Sequence, residues 1–368
     1  MKLLCTKNEF LTHLTKLVTV TEKGIEENYA YVYLLAKEGK VQLIAQDEVI
    51  LLFLSTENVE VEEEGEIRIH ASTLWELVKR LPQDQFSVSV TGDDFMVGIR
   101  AGDFEADFKG LEFQDIPLAK REAHTEFSIH SSDLKGAIHQ TWFTASPSIS
   151  GRTHVEGVRF SLNNSRLMLT GTDARRIGIT IKDLEAEPQG KREPVVIPRD
   201  SLYKLMHLLE ASSGTVLISF SHSTVSFRTQ HMMFISRLLA EAYPDCDQFF
   251  QQDWTLSISL NRLKLRDSLD RVLQIKDEET GGILLGYSNK RLSLSSERRG
   301  FGRTRQQLPT TFVLKDFEFR CLGKSLFEIL VHMDCETVKL SFNSSLDCCR
   351  IVPEEVESPK YLIMGMLD

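Results

Sequence analysis

One stretch constrains this chain more than any other: PVVIPRDSLYKLMHLLE, residues 194–210, where a short β run breaks at Pro-Arg-Asp-Ser into an amphipathic helix. Asp200 or Ser201 can cap the helix, and Leu202, Leu205, Met206 and Leu209 recur at helical spacing. The same plan returns as IRIHASTLWELVKRLP from Ile67, FSIHSSDLKGAIHQTWF from Phe127, LSISLNRLKLRDSLDRVL from Leu256 and FEFRCLGKSLFEILVHM from Phe317, with Met1–Val20 as a first copy. Helices are therefore expected to begin near positions 7, 72, 131, 199, 260 and 324. A spacing of roughly 60 residues is the mark of a repeat architecture.

Between the helices lie β-type runs. The first third carries Tyr29–Ala36, Val41–Ala45, Val49–Ser55, an acidic run Val59–Gly65, then Phe86–Val90, Phe95–Arg100 and Gly102–Phe108, with Gly92 at a hairpin turn. The middle third carries Val155–Leu162, Arg166–Thr170 and Gly178–Lys182, a polar loop Glu185–Glu193, then Val216–Phe220, Thr224–Thr229 and Met232–Leu238. Ala119–Thr125 reads as a linker, and Tyr243-Pro-Asp opens the last third. The fold class is α+β: three tandem domains, 1–120, 126–246 and 254–368, each of two halves with one helix and several strands. One helix cannot cover such a sheet, so copies must pair, and chaining them gives an arc or ring.

The composition suits this, with 368 residues, 42% apolar and 26% charged. Met1–Val20 carries Lys7, Glu9 and Lys16 where a signal peptide needs an apolar centre, and no run has the roughly 18 apolar residues of a membrane helix, so a cytoplasmic location is expected. The six cysteines form no CxxC pair, and His332 with Cys335 lacks further ligands, so neither a disulfide framework, a metal nor a cofactor is implied. The net charge of −10 argues against nucleic acid, yet the six helix windows hold thirteen Lys or Arg against eight Asp or Glu. The helices could thus form a mildly basic surface, or carry Lys and Arg simply as good helix formers.

Three markers sharpen the reading: LTGTDARRIGI from Leu169, ISRLLAEAYPDCDQFF from Ile235, and a YLIMGM tail, with FTASPSISGRTHVEGVRF leading in from Phe143. In this order they resemble the bacterial DNA polymerase III beta subunit family, the sliding clamps. The resemblance implies three DNA-clamp domains per protomer, a head-to-tail homodimer closed around double-stranded DNA without sequence preference, and a non-catalytic processivity role. The implied partners are the DNA polymerase III catalytic subunit, the clamp loader and other proteins with clamp-binding motifs. A divergent second clamp, or a monomeric peptide-binding scaffold serving a specialised repair or replication partner, is the alternative.

The resemblance also implies a partner-peptide pocket between the second and third domains. Thr172, Asp173, Arg176 and Ile177 match its TD..R motif, with Arg152 and Val155 upstream, and Pro244, Phe249, Leu346, Leu362, Met364 and Met366 at apolar positions. Arg152 and Arg176 could hold carbonyls or a carboxylate of the ligand. This chain has Ala174-Arg175 where the family usually has Gly-His, Gln248 where an Arg is usual, Gly365 between the tail methionines, Leu322 and Ser325 in the last helix unit, and Asp200 where Lys is frequent.

Candidate phosphate contacts are Lys79, Arg80, Lys135, Arg199, Lys204, Arg262, Lys264, Arg266 and Lys324. Catalysis is not indicated: Asp93-Asp94, Asp173, Asp245 and Asp247 lack a phosphate-cradling loop or ligand spacing, and no nucleophile elbow is present. The expected dimer seam pairs AGDFEADF (Asp103, Phe104, Glu105, Asp107, Phe108) with SERRGFGRTR (Arg298, Arg299, Phe301, Arg303, Arg305). In the resembled family the first edge is basic and the second acidic, so both signs are reversed here while staying complementary.

Overall fold

The computed structural model describes residues 1–21, 27–56, 59–92, 94–114, 116, 123–147, 151, 153–191, 193–209, 214–310 and 314–366. Among the described residues, six α-helices and 26 strands follow much the same order three times. The first third runs β1 (Lys2–Thr6), α1 (Lys7–Val18), β2 (Tyr31–Lys37), β3 (Lys40–Gln46), β4 (Ile50–Thr56), β5 (Glu60–Glu63), β6 (Gly65–His70), α2 (Ala71–Lys79), β7 (Gln85–Thr91), β8 (Met96–Ala101) and β9 (Phe104–Lys109). The middle third runs β10 (Thr125–His130), α3 (Ser131–Thr141), β11 (Gly157–Asn163), β12 (Arg166–Thr172), β13 (Arg176–Asp183), β14 (Gln189–Gly190), β15 (Val195–Pro198), α4 (Arg199–Leu208), β16 (Thr215–Phe220), β17 (Thr224–Arg228) and β18 (Met232–Arg237). The last third runs β19 (Trp254–Asn261), α5 (Arg262–Val272), β20 (Gly282–Ser288), β21 (Arg291–Arg298), β22 (Gly302–Pro309), β23 (Phe317–Leu322), α6 (Gly323–His332), β24 (Thr337–Asn343), β25 (Cys348–Pro353) and β26 (Lys360–Met364).

Helix starts fall within two residues of the expected positions, because the extended run passes straight into the helix. Thr6, His70 and Leu322 precede their helices in extended or near-extended backbone with no side-chain cap, whereas Asn261 does cap α5, accepting the Lys264 amide at 3.0 Å. Asp200 and Ser201 do not cap α4: it begins at Arg199, and buried Ser201 instead accepts a bond from Ser236 Oγ at 2.9 Å. Other departures are local. Tyr29, Ala30 and Val155, expected at the starts of strands, instead end the 3-10 turns 27–30 and Thr153–Val155, and the loop 185–193 contains β14. Most of the expected linker, and Asp93, lie outside the described residues. No described helix is long and apolar enough to cross a membrane.

The strands form four antiparallel sheets, ordered β5-β1-β7-β8-β9, β14-β10-β16-β17-β18-β4-β3-β2-β6, β15-β11-β12-β13-β26-β25-β24-β19 and β22-β21-β20-β23. Apart from β5 and β14, each third contributes two four-strand blocks, one of the three strands after its first helix with the strand before its second, and one of its opening strand with the three strands after its second helix. Within the chain, the block ending in β4 joins the block ending in β18, with Phe53 opposite Met233. In the same way the block ending in β13 joins that ending in β26, with Ile177 opposite Leu362. The two blocks left over end in β9 and β22, both at sheet edges.

The chain forms two compact units. One comprises residues 1–132, 185–191 and 201–238, and the other 133–184, 192–200 and 239–368. In the first, Phe10, Leu14 and Leu17 of α1 and Leu74 and Val78 of α2 are buried, and Phe10 meets Phe86 edge-on at 5.6 Å. In the second, Leu265 and Leu269 of α5 pack with Leu326, Ile329 and Leu330 of α6 over Ile258, Leu340 and Phe342. Burying one leucine of this kind stabilises by about 2 kcal/mol, so these helix faces hold the sheets closed.

The β4·β18 join has a polar lock beside it. Asp47, in the turn between β3 and β4, has a side chain 5% exposed; Oδ1 accepts the amides of Val49 at 2.8 Å and Ile50 at 2.6 Å, and Oδ2 takes Lys204 Nζ of α4 at 2.8 Å. Removing the acid strands both amides and a half-covered ammonium. Asp47→Ala is expected to cost about 3 kcal/mol, and Lys204→Met distinctly less because the turn keeps its acceptor, as read by thermal unfolding.

Candidate partner-binding site

The candidate site lies wholly in the second unit, beside the β13·β26 pairing. The turn from β12 to β13 is held by its own side chains. Asp173 Oδ1 accepts the amides of Arg175 at 3.0 Å and Arg176 at 2.9 Å, while Thr172 Oγ1 donates to the Arg176 carbonyl at 2.7 Å and accepts the Ala174 amide at 3.1 Å. Ala174 sits at φ 69°, a left-handed conformation in which a side chain costs about 1–2 kcal/mol relative to glycine. Two further elements close the site. The 3-10 turn Thr153–Val155 supplies His154 and Val155, and the segment after Tyr243 supplies Pro244, Cys246 and Phe249. That segment is pinned by Tyr243, whose hydroxyl reaches the carbonyls of Thr170 at 3.0 Å and Gly157 at 3.3 Å, and by Arg159, 3.4 Å from Asp247. Met364, whose amide donates to the Arg175 carbonyl at 2.9 Å, completes a cavity of about 210 Å³.

Nine expected pocket residues line this cavity together: Val155, Thr172, Ala174, Arg175, Arg176, Ile177, Pro244, Phe249 and Met364. Leu346, Leu362, Gly365 and Met366 do not. Leu362 is fully buried, pairing with Ile177 behind the wall, and Leu346 packs on the last third's core. Gly365 donates to the Asp347 carbonyl at 2.6 Å, and the Met366 amide to the Arg320 carbonyl at 2.8 Å. Arg152 lies outside the described residues. His154 and Cys246 were missed. Cys246 sits two residues beyond Pro244 in a helical turn, a spacing that could have drawn it in. Burial pushes its thiol up to about 11, so it is a small apolar wall atom, not a nucleophile.

Arg176 has a different task from the one its sequence suggested. Its Nη1 is 2.5 Å from Glu328 Oε2, its Nη2 donates to the Phe143 carbonyl at 2.8 Å, and its Nε lies 2.9 Å from Asp173 Oδ2, off hydrogen-bond geometry, so that contact is ionic and not directional. The residue is 8% exposed. The guanidinium, mostly buried and held by these partners, ties the β12–β13 turn to α6. Arg175, exposed on the rim, is the accessible cation of the cavity lining.

Beneath it lies an aromatic stack. The His332 ring stacks on Phe143 at 4.1 Å, faces His139 at 4.7 Å and Trp142 at 6.2 Å, and its Nδ1 donates to the Glu328 carbonyl at 2.8 Å. Arg176 covers the Phe143 ring at 5.4 Å. Burial, foremost, holds the imidazole below its ordinary range, and His139 and Arg176 push the same way, against the Glu328 carbonyl and carboxylate.

The other expected residues are dispersed. Lys79 lies over Trp75 at 4.3 Å, Arg80 pairs with Glu76, Arg266 with Asp267, and Lys324 is 3.8 Å from Glu328. Lys135 is half-buried and Lys264 exposed. Three have internal structural contacts: Lys204 on Asp47, Arg199 over the Trp142 ring at 4.9 Å, and Arg262 donating to the carbonyls of Cys335 at 2.7 Å and Leu330 at 2.9 Å. Along β9, Glu105 and Asp107 are exposed and alternate with half-buried Phe104 and Phe108, with Asp103 exposed just before them. Asp107 and Glu105 reach Arg100 at 2.7 and 3.7 Å. On the opposite leftover block, Arg303 and Arg305 of β22 are exposed, and Phe301 is 69% exposed under Arg298, itself 2.9 Å from Glu278.

A proton-dependent signature follows. The native fold disfavours the His332 imidazolium, so its contribution to stability is complete above the unfolded value of 6.5 and is lost as pH falls below it toward the depressed native value. The melting temperature is expected to fall over that range, with a smaller slope in His332→Gln. Arg176→Ala is expected to lower thermal stability at every pH, because it leaves Asp173 and Glu328 facing each other uncompensated.

Family models match in sequence order: "DNA polymerase III beta subunit, N-terminal domain" over residues 1–120, and "DNA polymerase III beta subunit, central domain" over 128–245. The chain is 25% identical to the beta sliding clamp of Staphylococcus epidermidis over 339 residues, 89% of each chain, and 30% identical to that of Bacillus subtilis over 229 residues, 62% of this chain and 60% of the relative. Solved clamp structures from Pseudomonas aeruginosa and Bacillus subtilis superpose with TM-scores of 0.92 at 21% and 23% identity, covering all of this chain and 100% and 99% of theirs. With both domain models in register, relatives aligned over most of the length and the block topology shared, the chain belongs to the DNA polymerase III beta subunit family, the sliding clamps.

Proposed function

We propose that this protein is a processivity factor of DNA replication: two copies close into a ring around duplex DNA and hold the replicative polymerase, the clamp loader and other motif-bearing partners to it. The observation that carries this is the block topology. Two joins of the same kind, β4·β18 and β13·β26, are made within the chain, and a third pair, β22 and β9, is left at sheet edges. Pairing β22 of one copy with β9 of another satisfies both edges and closes on itself after two copies, a head-to-tail arrangement with twofold symmetry. Charge favours the same union, since the β9 edge is acidic and the β22 edge basic. A protomer with the opposite polarity would set like charges face to face, which costs on the order of several kcal/mol and excludes mixed rings.

In this reading the domains are 1–120, 126–246 and 254–368. The basic helix residues Lys79, Arg80, Lys135, Lys264, Arg266 and Lys324 serve as phosphate contacts, while Arg199, Lys204 and Arg262 make the internal contacts described above. The cavity beside β13·β26 takes an extended peptide with apolar anchors against Val155, Ile177, Pro244, Phe249 and Met364, oriented by Arg175. A clamp of this family is non-catalytic; it acts by topology and tethering.

Retention on a nicked circular plasmid, with rapid loss once the plasmid is linearised, is the expected result, because topology and not adhesion holds the ring; equal retention on both forms at moderate salt would refute it. Phe249→Ala and Met364→Ala are each expected to weaken an apolar partner peptide by about 10-fold while leaving plasmid retention unchanged, as read by fluorescence anisotropy.

A further inference from the structure

Both joins within the chain carry a second contact. The helices α2, α4 and α6 each follow directly on a strand, and their fourth residues, Leu74, Leu202 and Leu326, are buried at 0%, 1% and 2% exposure, which sets the three in one register. In that register the sixth residues are Glu76, Lys204 and Glu328. Lys204 lies in the block that ends in β18, and its Nζ meets Asp47 at 2.8 Å in the turn leading into β4. Glu328 lies in the block that ends in β26, and its carboxylate meets Arg176, the first residue of β13, at 2.5 Å. The two turns are built alike: Asp47 Oδ1 and Asp173 Oδ1 each accept the amides two and three residues on. The charges are opposite in sense, cation on the helix in one join and anion on the helix in the other. The helix position is therefore shared, while the facing chain supplies its partner from different places, Asp47 itself in one join and Arg176, three residues beyond Asp173, in the other.

Glu76 is the sixth residue of the helix in the block that ends in β9, and the passage from β21 to β22 carries Arg298, the last residue of β21, and Arg299 in the turn. We infer that Glu76 of one copy pairs with the arginines at Arg298–Arg299 of the other, a helix-to-turn ion pair that fixes the β9·β22 seam as Lys204–Asp47 and Glu328–Arg176 fix the other two. This rests on the ring reading above and adds to it a specific contact away from the strands. The carboxylate is available: Glu76 is paired in the chain with Arg80 one helical turn on, where both side chains are open to solvent at 45% and 68%, so the exchange of partner is cheap. Arg298 has its exposed partner Glu278 and a face on Phe301, whereas Arg299 stands exposed at the tip. The sense of the pair, anion on helix and cation on turn, is that of the Glu328 join.

The test uses the full chain. Sedimentation equilibrium gives the dimer dissociation constant of the wild type, of Glu76→Arg, of Arg298→Glu with Arg299→Glu, and of all three changes together. Each one-sided reversal is expected to weaken the dimer by about 10-fold or more, and the combination to return it to within about threefold of the wild type. Glu76→Cys with Arg299→Cys, oxidised without any reversal, is expected to yield a covalently linked dimer on a non-reducing gel, which keeps the idea testable if a reversal fails to fold. A wild-type dimer whose constant neither reversal moves, or whose weakening the combined variant does not repair, overturns the inference and leaves the ring standing. A wild type that stays monomeric at micromolar concentration overturns the ring, and the inference with it.

Discussion

An unpaired strand edge is a row of unsatisfied amides and carbonyls, and this chain is arranged around satisfying them across block boundaries. The join of β4 to β18 merges strands from the first and middle thirds into one nine-stranded sheet, and that of β13 to β26 makes an eight-stranded one. Backbone ladders are indifferent to sequence, which explains how the family plan persists here at 21–30% identity to relatives. What the sequence must supply is alternation, so that Phe53 meets Met233 and Ile177 meets Leu362, together with turns that start each joining strand in register.

The candidate pocket is a by-product of one such join. Where β26 reaches the turn before β13, Met364 bonds to Arg175 and an apolar hollow is left between that turn and the segment from Pro244 to Phe249. Its rigidity comes from behind, through Arg176 to Glu328 and to the Phe143 carbonyl, and through Phe143 to the imidazole of His332. The arginine of the TD..R motif thus shapes the site by what it holds in place, and its neighbour Arg175 carries the accessible charge.

Much of this was legible in the residues. Leucines at helical spacing after a β run located all six helices, and alternation located most strands, because those signals are local. The 3-10 turn at Thr153–Val155 was not, since Val155 is β-branched and stands just ahead of the run that forms β11, and no Gly, Pro or Asn lies within Thr153–Val155 to mark a turn. The role of Arg176 was hidden for a sharper reason: its partners Phe143 and Glu328 lie 33 and 152 residues away, and nothing in a motif of six residues encodes them. Leu362 and Met366 were placed in the pocket because they share the strand face of Met364, but Leu362 is covered where β26 pairs with β13 opposite Ile177, and Met366 lies beyond β26 with its amide on the Arg320 carbonyl.

The two joins within the chain and the one proposed between copies are chemically of one kind, yet they differ in connectivity. A strand that slips out of β4·β18 stays tethered by its own chain, and a tether of that sort holds the partner at an effective concentration near the millimolar range, so the join re-forms at once. An edge joined only to a second molecule has no such reservoir. Its lifetime falls to that of the contacts alone and its recovery to the rate of encounter, so dilution acts on one kind of join and spares the other. A ring assembled this way has its gate defined by where the polypeptide is not continuous, without any hinge residue or dedicated latch being required.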